Sequence, residues 1–213
     1  VLAYLVLEGL ALGHVYHRAV GVKRYRVTAR TKGGHSWSDY GQPSAVHELA
    51  KLVVQLTSID LPKEPRTKKK VKKISGGTSV NVIASEASLD LDLRSEGQES
   101  LAELVAAAEK LIRRANKTGV SFEAEVIVQR PAGEMDADHP LLKLAGSCLH
   151  EQGLDAVLTT GSTDANVPLS KGYPAVVMGI TTGGGAHTLK EYVNVEPMEA
   201  GMESVARVVE KVF

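Results

Sequence analysis

The chain has 213 residues, 43% of them hydrophobic, and its 25 basic residues balance 25 acidic ones. That length supports one or two domains with a sizeable core, and the zero net charge excludes a global field drawing the chain to nucleic acid or an anionic membrane. A single cysteine, Cys148, excludes an intrachain disulfide and points to the cytoplasm, while no apolar run is long enough to span a bilayer.

Val1 to Leu7 is apolar without alternation, the pattern of a strand buried on both faces. Such a strand needs neighbours that the chain hardly supplies, so upstream sequence is expected to be missing. His14 and His17, beside Tyr16 and Arg18, read as surface or interface residues of a connecting segment. Residues 22–30 alternate, with Tyr25, Val27 and Ala29 on one face and Arg24, Arg26, Thr28 and Arg30 on the other, which predicts a half-buried strand. Pro43 opens a helix carrying Leu49, Leu52 and Leu56 at helical spacing. A basic strand or loop follows around Lys68 to Ile74, then a strictly alternating strand over Leu89–Arg94. Leu101, Leu104, Ala108 and Ile112 mark a second helix, with Ser100 and Glu103 at capping-box spacing. A strand over Phe122–Val128 completes the order β-α-β-β-α-β, the split βαβ or ferredoxin-like arrangement.

After Pro131 the pattern becomes a helix over about Pro140–Gln152, a strand at Ala156–Thr159, a strand at Ala175–Ile180 and a final helix through Val205 and Val208. Strands alternating with helices predict an α/β layer with a mostly parallel sheet. The expected fold class is therefore α/β: a partial α/β layer from residues 1–20 and 131–213, with an inserted ferredoxin-like α+β unit over residues 21–130.

Several features could carry chemistry. Glu8 closes an apolar strand, where a carboxylate either caps a turn or binds metal. Gly33-Gly34-His35-Ser36 and Gly183-Gly184-Gly185-Ala186-His187 each deliver a histidine on a glycine-rich turn, the residue type that moves protons or ligates metal. Asn81 lies ahead of the strand that ends in Arg94. Ser162-Thr163-Asp164-Ala165-Asn166 is a polar loop, or a helix start built from favoured N-cap residues. Ser36 and Ser162 lack the Gly-x-Ser-x-Gly elbow of a serine hydrolase. The Arg66–Lys73 run has no interleaved aromatics and reads as a solvated edge strand.

In their order these segments resemble the M20 metallopeptidase family, over essentially the whole chain. Val6-Leu7-Glu8-Gly9 looks like the family's acidic ligand at a strand end. Gly33-Gly34-His35-Ser36 looks like its lid histidine turn. Ser79-Val80-Asn81-Val82-Ile83 with Leu91-Asp92-Leu93-Arg94 is similar to its paired lid strands. Ala186-His187-Thr188-Leu189-Lys190-Glu191-Tyr192 looks like the segment holding its C-terminal ligand. The resemblance implies a catalytic domain (1–20 and 131–213), a lid and dimerisation domain (21–130), and two zinc or similar divalent ions in the complete enzyme. It implies metal ligation by Glu8 and His187, a catalytic His35, and substrate contacts from Asn81, Arg94, Ser162, Thr163, Asp164 and Gly185. The implied reaction is hydrolysis of a small peptide or N-acyl amino acid by metal-activated water, in a homodimer formed through the lid, with no nucleic-acid or membrane partner. The family's His-x-Asp motif and Glu-Glu pair do not occur as ligands here, so this chain alone is expected to be inactive and to hold no stoichiometric metal. The alternative is a non-catalytic dimerisation or binding module derived from that fold.

Overall fold

The computed structural model describes residues 2–212; Val1, the first residue of the expected opening strand, and Phe213 lie outside the described residues. The chain forms two compact units: Gly21–Arg130, and the flanking segments that run up to Val20 and onward from Pro131. The first flanking segment supplies two strands, β1 (Tyr4–Leu12) and β2 (His14–Ala19).

The inserted unit holds β3 (Gly21–Thr31), β4 (Gly34–His35), α1 (Ala45–Thr57), β5 (Thr67–Gly76), β6 (Val82–Ile83), β7 (Glu86–Ser95), α2 (Gln98–Ala115) and β8 (Val120–Arg130). Its main sheet has the order β5-β7-β3-β8, with every neighbouring pair antiparallel. Period-2 alternation sends Tyr25, Val27, Leu89, Leu91 and Leu93 to one face, where Leu49, Leu52 and Leu56 of α1 and Leu101, Leu104, Ala108 and Ile112 of α2 cover them. Helix α2 starts from Gly97 without a side-chain cap, so the capping-box spacing of Ser100 and Glu103 goes unused. The opposite face is a charge ladder. Arg26 pairs with Asp90 at 3.0 Å, and Arg30 bridges Glu86 and Glu123 at 3.0 and 2.9 Å. Asp92 accepts from Arg24 at 2.8 Å and from Arg94 at 2.9 Å. Burial pushes its carboxyl pKa up, but these two hydrogen bonds outweigh burial and hold it below the usual range. The lysine-rich β5 is an edge strand, where ammonium groups discourage pairing with another sheet.

The second flanking segment adds β9 (Gly133–Glu134), α3 (Pro140–His150), β10 (Val157–Gly161), α4 (Asn166–Ser170), β11 (Ala175–Gly179), β12 (Gly183–Gly184), β13 (Tyr192–Val193) and α5 (Met198–Val212). The sheet order is β1-β11-β2-β10, with β9 added on β2. This sheet is mixed rather than mostly parallel: β1 and β11 run together, β2 and β10 run together, and the two pairs oppose each other across β11 and β2. Strand β2 replaces the expected connecting segment. Its histidines, tyrosine and arginine mask the alternation that buries Val15 and Ala19. Strand β1 is an edge strand with Leu7 46% exposed, so it is not buried on both faces; β11, buried at all five positions, is the strand of that kind. Cys148 packs at 0% exposure in the core that α3 and α5 share with β2 and β11.

Candidate functional site

Glu8 lies where regular pairing of β1 with β11 stops. It is the Cα partner of Gly179, and four residues on Leu12 returns to the same glycine. The intervening residues bulge across the end of β11. The Ile180 N–H donates to the Glu8 carbonyl at 3.0 Å, and the Leu12 N–H donates to the Thr181 carbonyl at 2.9 Å. A Cβ on Gly179 would lie 2.2 Å from the Ala11 carbonyl oxygen, so only glycine allows this crossing. Ala11 itself takes a φ of +67°. The Glu8 side chain is half-buried, and no hydrogen bond or ion pair holds its carboxylate among the described residues. Its charge is nonetheless felt by Tyr16, whose hydroxyl pKa is raised first by burial and then by Glu8.

From Gly179 the chain continues past the bulge into the β12–β13 hairpin, and Gly183 approaches Leu10 of β1. His187 stands on the tip of this hairpin, exposed, at a φ of +65°. That conformation is sterically costly for a side chain with a Cβ, and such residues gather at functional sites. The tip is held by its own hydrogen bonds: the His187 N–H donates to Glu191 Oε2 at 3.0 Å, and Thr188 Oγ1 donates to the Gly185 carbonyl at 2.7 Å. Gly185 has a φ of +66°, and a Cβ there would meet the Lys190 carbonyl oxygen at 2.6 Å. Glu8 and the root of the His187 hairpin therefore share one edge of the sheet.

The loop after β10 lies at the other edge. Because β10 opposes β11, its last residue, Gly161, sits beside Ala19, while its first, Val157, sits beside His14. The ends of the strands are roughly 13 Å apart for four residues of rise. In this loop Asn166 is 1% exposed and satisfies three backbone groups. Its Oδ1 accepts from the Thr163 N–H at 2.8 Å, and its Nδ2 donates to the carbonyls of Val20 and Pro131, each at 2.8 Å. These are the residues where the chain leaves this unit and where it returns. Thr163 is buried, and its hydroxyl accepts from the Ala165 N–H at 3.2 Å. Ser162, Thr163 and Asp164 were expected beside a substrate; the register places their loop at the opposite end of the sheet from Glu8.

In the inserted unit, β4 and β6 form a short ribbon in which His35 pairs with Val82. The Ser36 N–H donates to the Asn81 carbonyl at 3.0 Å, so His35 and Asn81 do come together. The His35 Nδ1 accepts from the N–H groups of Trp37 and Ser38 at 3.2 and 3.3 Å. Asp39 Oδ2 accepts from the His35 N–H at 2.8 Å. Trp37 and Tyr40, beside this turn, are 87% and 92% exposed.

Arg94 lies at the other end of the same sheet. Its Cα partner is Val22, near the start of β3, whereas the ribbon follows Thr31 at the end of β3. Nine residues of strand separate the two places, roughly 30 Å at about 3.4 Å per residue. One protomer's His35 and Arg94 cannot touch the same small molecule. Arg94 lines a cavity of about 570 Å³ together with Lys68, Lys69, Lys70, Lys72 and Asp92, whose carboxylate accepts from Arg94 Nε at 2.9 Å.

A catalytic zinc takes about three protein donors. Glu8 and His187 would supply two at most, and among the described residues no group of three His, Cys, Asp or Glu side chains is placed to hold a metal ion. The donors of this chain alone do not fit a two-zinc centre.

The architecture is thus a mixed α/β layer carrying an inserted antiparallel α+β unit. Residues 18–120 match the family model of the M20 peptidase dimerisation domain. Solved structures of the same fold include an aminopeptidase PepT from Bacillus cereus, 21% identical with a TM-score of 0.80, aligned over 99% of this chain and 57% of its own. A tripeptidase from Staphylococcus aureus is 20% identical with a TM-score of 0.81 over 99% and 57%. An aminobenzoyl-glutamate utilization protein from Klebsiella pneumoniae is 16% identical with a TM-score of 0.72 over 97% and 53%. The chain therefore spans little more than half the length of these proteins. A comparison with curated proteins finds no match. No helix among the described residues is long and apolar enough to cross a membrane.

Proposed function

We propose that this chain is the lid and part of the catalytic layer of an M20-type amidohydrolase that cleaves small peptides or N-acyl amino acids. The inserted unit, read as a split βαβ domain, would pair two protomers. The observation that carries the reading is Glu8: a half-buried carboxylate without a hydrogen bond or ion pair, at a strand end shared with the root of the His187 hairpin. Glu8 and His187 would each supply one donor, with the remaining donors coming from sequence outside this chain. Bound metal would supply an activated water. The residues of this chain would bind and orient: Arg94, in its lysine-lined cavity, takes a substrate carboxylate, and His35 with Asn81 offers donors to the oxygen of the scissile group. Asn166 supports the Ser162–Asp164 loop through its bonds to Thr163, Val20 and Pro131, and this reading assigns the loop no chemical step.

Because His35 and Arg94 are too far apart within one protomer, a working site would take Arg94 from one protomer and His35 with Asn81 from its partner. The test is complementation in the full gene product, assayed on a tripeptide. Arg94→Ala and His35→Ala are each expected to be nearly inactive. Mixed, they should regain about a quarter of wild-type activity, because half of randomly paired dimers are mixed and each has one intact site. No recovery on mixing would refute the shared site, full activity in Glu8→Gln would refute the metal-donor role of Glu8, and absence of hydrolysis in the wild type would refute the hydrolase reading. The match of residues 18–120 to a dimerisation domain favours a second reading, a binding module without chemistry. That reading expects dimers by sedimentation and no hydrolysis from the full gene product.

A further inference from the structure

The turn from His35 to Asp39 is more fully specified than a surface loop requires. Five contacts close it. The His35 N–H donates to Asp39 Oδ2 at 2.8 Å, and the Asp39 N–H returns to the His35 carbonyl at 3.0 Å. The N–H groups of Trp37 and Ser38 converge on His35 Nδ1 at 3.2 and 3.3 Å, and the Gln42 N–H donates to the Asp39 carbonyl at 3.1 Å. Gly34 leaves room for the carboxylate, since a Cβ there would lie 2.8 Å from Asp39 Oδ2.

A neutral imidazole has one donor and one acceptor nitrogen, and a hydrogen bond to one fixes the role of the other. Two N–H donors aimed at Nδ1 require that nitrogen to be the acceptor, so the ring proton is on Nε2. No hydrogen bond engages Nε2 among the described residues, and the side chain is exposed. The turn therefore presents a single outward N–H whose direction the backbone sets. We infer that Asp39 is a positioning residue: by fixing the His35 backbone it keeps the 37–38 amides on Nδ1 and holds His35 as an Nε2–H donor for an anionic or carbonyl oxygen. The assignment of that oxygen to a scissile group rests on the proposed function; the tautomer does not.

Asp39→Asn keeps an oxygen that can accept from the His35 N–H, whereas Asp39→Ala removes it. The experiment is a two-bond ¹H–¹⁵N correlation spectrum of the histidine rings in this chain, with His35→Gln identifying the signal. Wild type and Asp39→Asn are expected to show the Nε2–H tautomer, and Asp39→Ala a mixture of both. An Nδ1–H tautomer in wild type, or an Asp39→Ala pattern identical to wild type, overturns the inference. Should Asp39→Ala fail to fold, wild type and Asp39→Asn still decide: Asp39→Asn in the mixed form overturns it as well. In the full gene product, Asp39→Ala should lower kcat on the order of 10²-fold through misplacement of the donor, with KM unchanged and the loss restored in Asp39→Asn. A tautomer change without a kcat change keeps Asp39 as the positioning residue and overturns the hydrolytic role of His35 instead.

Discussion

Removing the Asn166 side chain tests whether the 162–166 loop is support. Asn166→Ala deletes the donor to the Val20 and Pro131 carbonyls and the acceptor of the Thr163 N–H. A buried polar group left without a partner costs about 1–3 kcal/mol. Water entering the vacated space recovers part of that, so a loss of about 2–4 kcal/mol is expected. At about 2–4 °C per kcal/mol for a chain of this size, the melting temperature should fall by roughly 5–15 °C. Asn166→Asp keeps the shape but turns an oxygen toward two carbonyls, and should cost at least as much as alanine. Circular dichroism melts give the size of the effect and hydrogen exchange its place. All three lost bonds lie in the flanking unit, so amides of β2 and β10 should lose protection while those of β3 and β7 keep theirs. A change below about 0.5 kcal/mol, the size of an ordinary surface substitution, would refute the clamp.

Acid should weaken the inserted unit through Asp92 and Glu48. Burial alone would raise the Asp92 carboxyl, but the bonds from Arg24 and Arg94 outweigh it; hydrogen bonds from Lys117 and Lys51 lower Glu48. A carboxylate with a depressed folded pKa stabilises above its unfolded value, about 4, and that stability is lost as pH falls through the folded value. Thermal melts between about pH 5 and pH 2 should therefore decline, and less steeply in Asp92→Asn; an unchanged slope would contradict the assignment. Gly179→Ala should destabilise the flanking unit by about 2–4 kcal/mol, because the Ala11 and Leu10 carbonyls stand 2.2 and 2.3 Å from the new Cβ. A melt within 1–2 °C of wild type would show that the bulge yields easily.

The inserted unit was largely legible in the sequence because its strands have one face on helices and one in water. Tyr25, Val27 and Ala29 against Arg24, Arg26 and Arg30 express that two-sidedness directly, as do Leu89, Leu91 and Leu93 against Asp90, Asp92 and Arg94. The flanking unit was harder. Strand β2 carries His14, Tyr16, His17 and Arg18, whose ambiguous polarity hides its period, and missing it removed the one strand that reverses the sheet. In a parallel sheet the ends of β10 and β11 would fall on one edge. The antiparallel pairing of β2 with β11 separates them. Local pattern locates a loop in the chain, but strand direction decides which loops meet.

On the proposed reading, the same logic calls for two copies of the inserted unit to serve one small substrate. An antiparallel sheet of ten-residue strands puts its turns at two ends roughly 30 Å apart. A donor on a ribbon at one end and an anion clamp at the other face different neighbourhoods, however the chain folds locally. Asn81 and Arg94 are thirteen positions apart in sequence, close enough to suggest a joint grip, yet the intervening β7 is extended and carries them apart. A helix of that length would have kept them within about 20 Å. Extended structure converts sequence proximity into distance, and a twofold pairing of protomers is the symmetric arrangement able to bring the far end of one sheet to the near end of another.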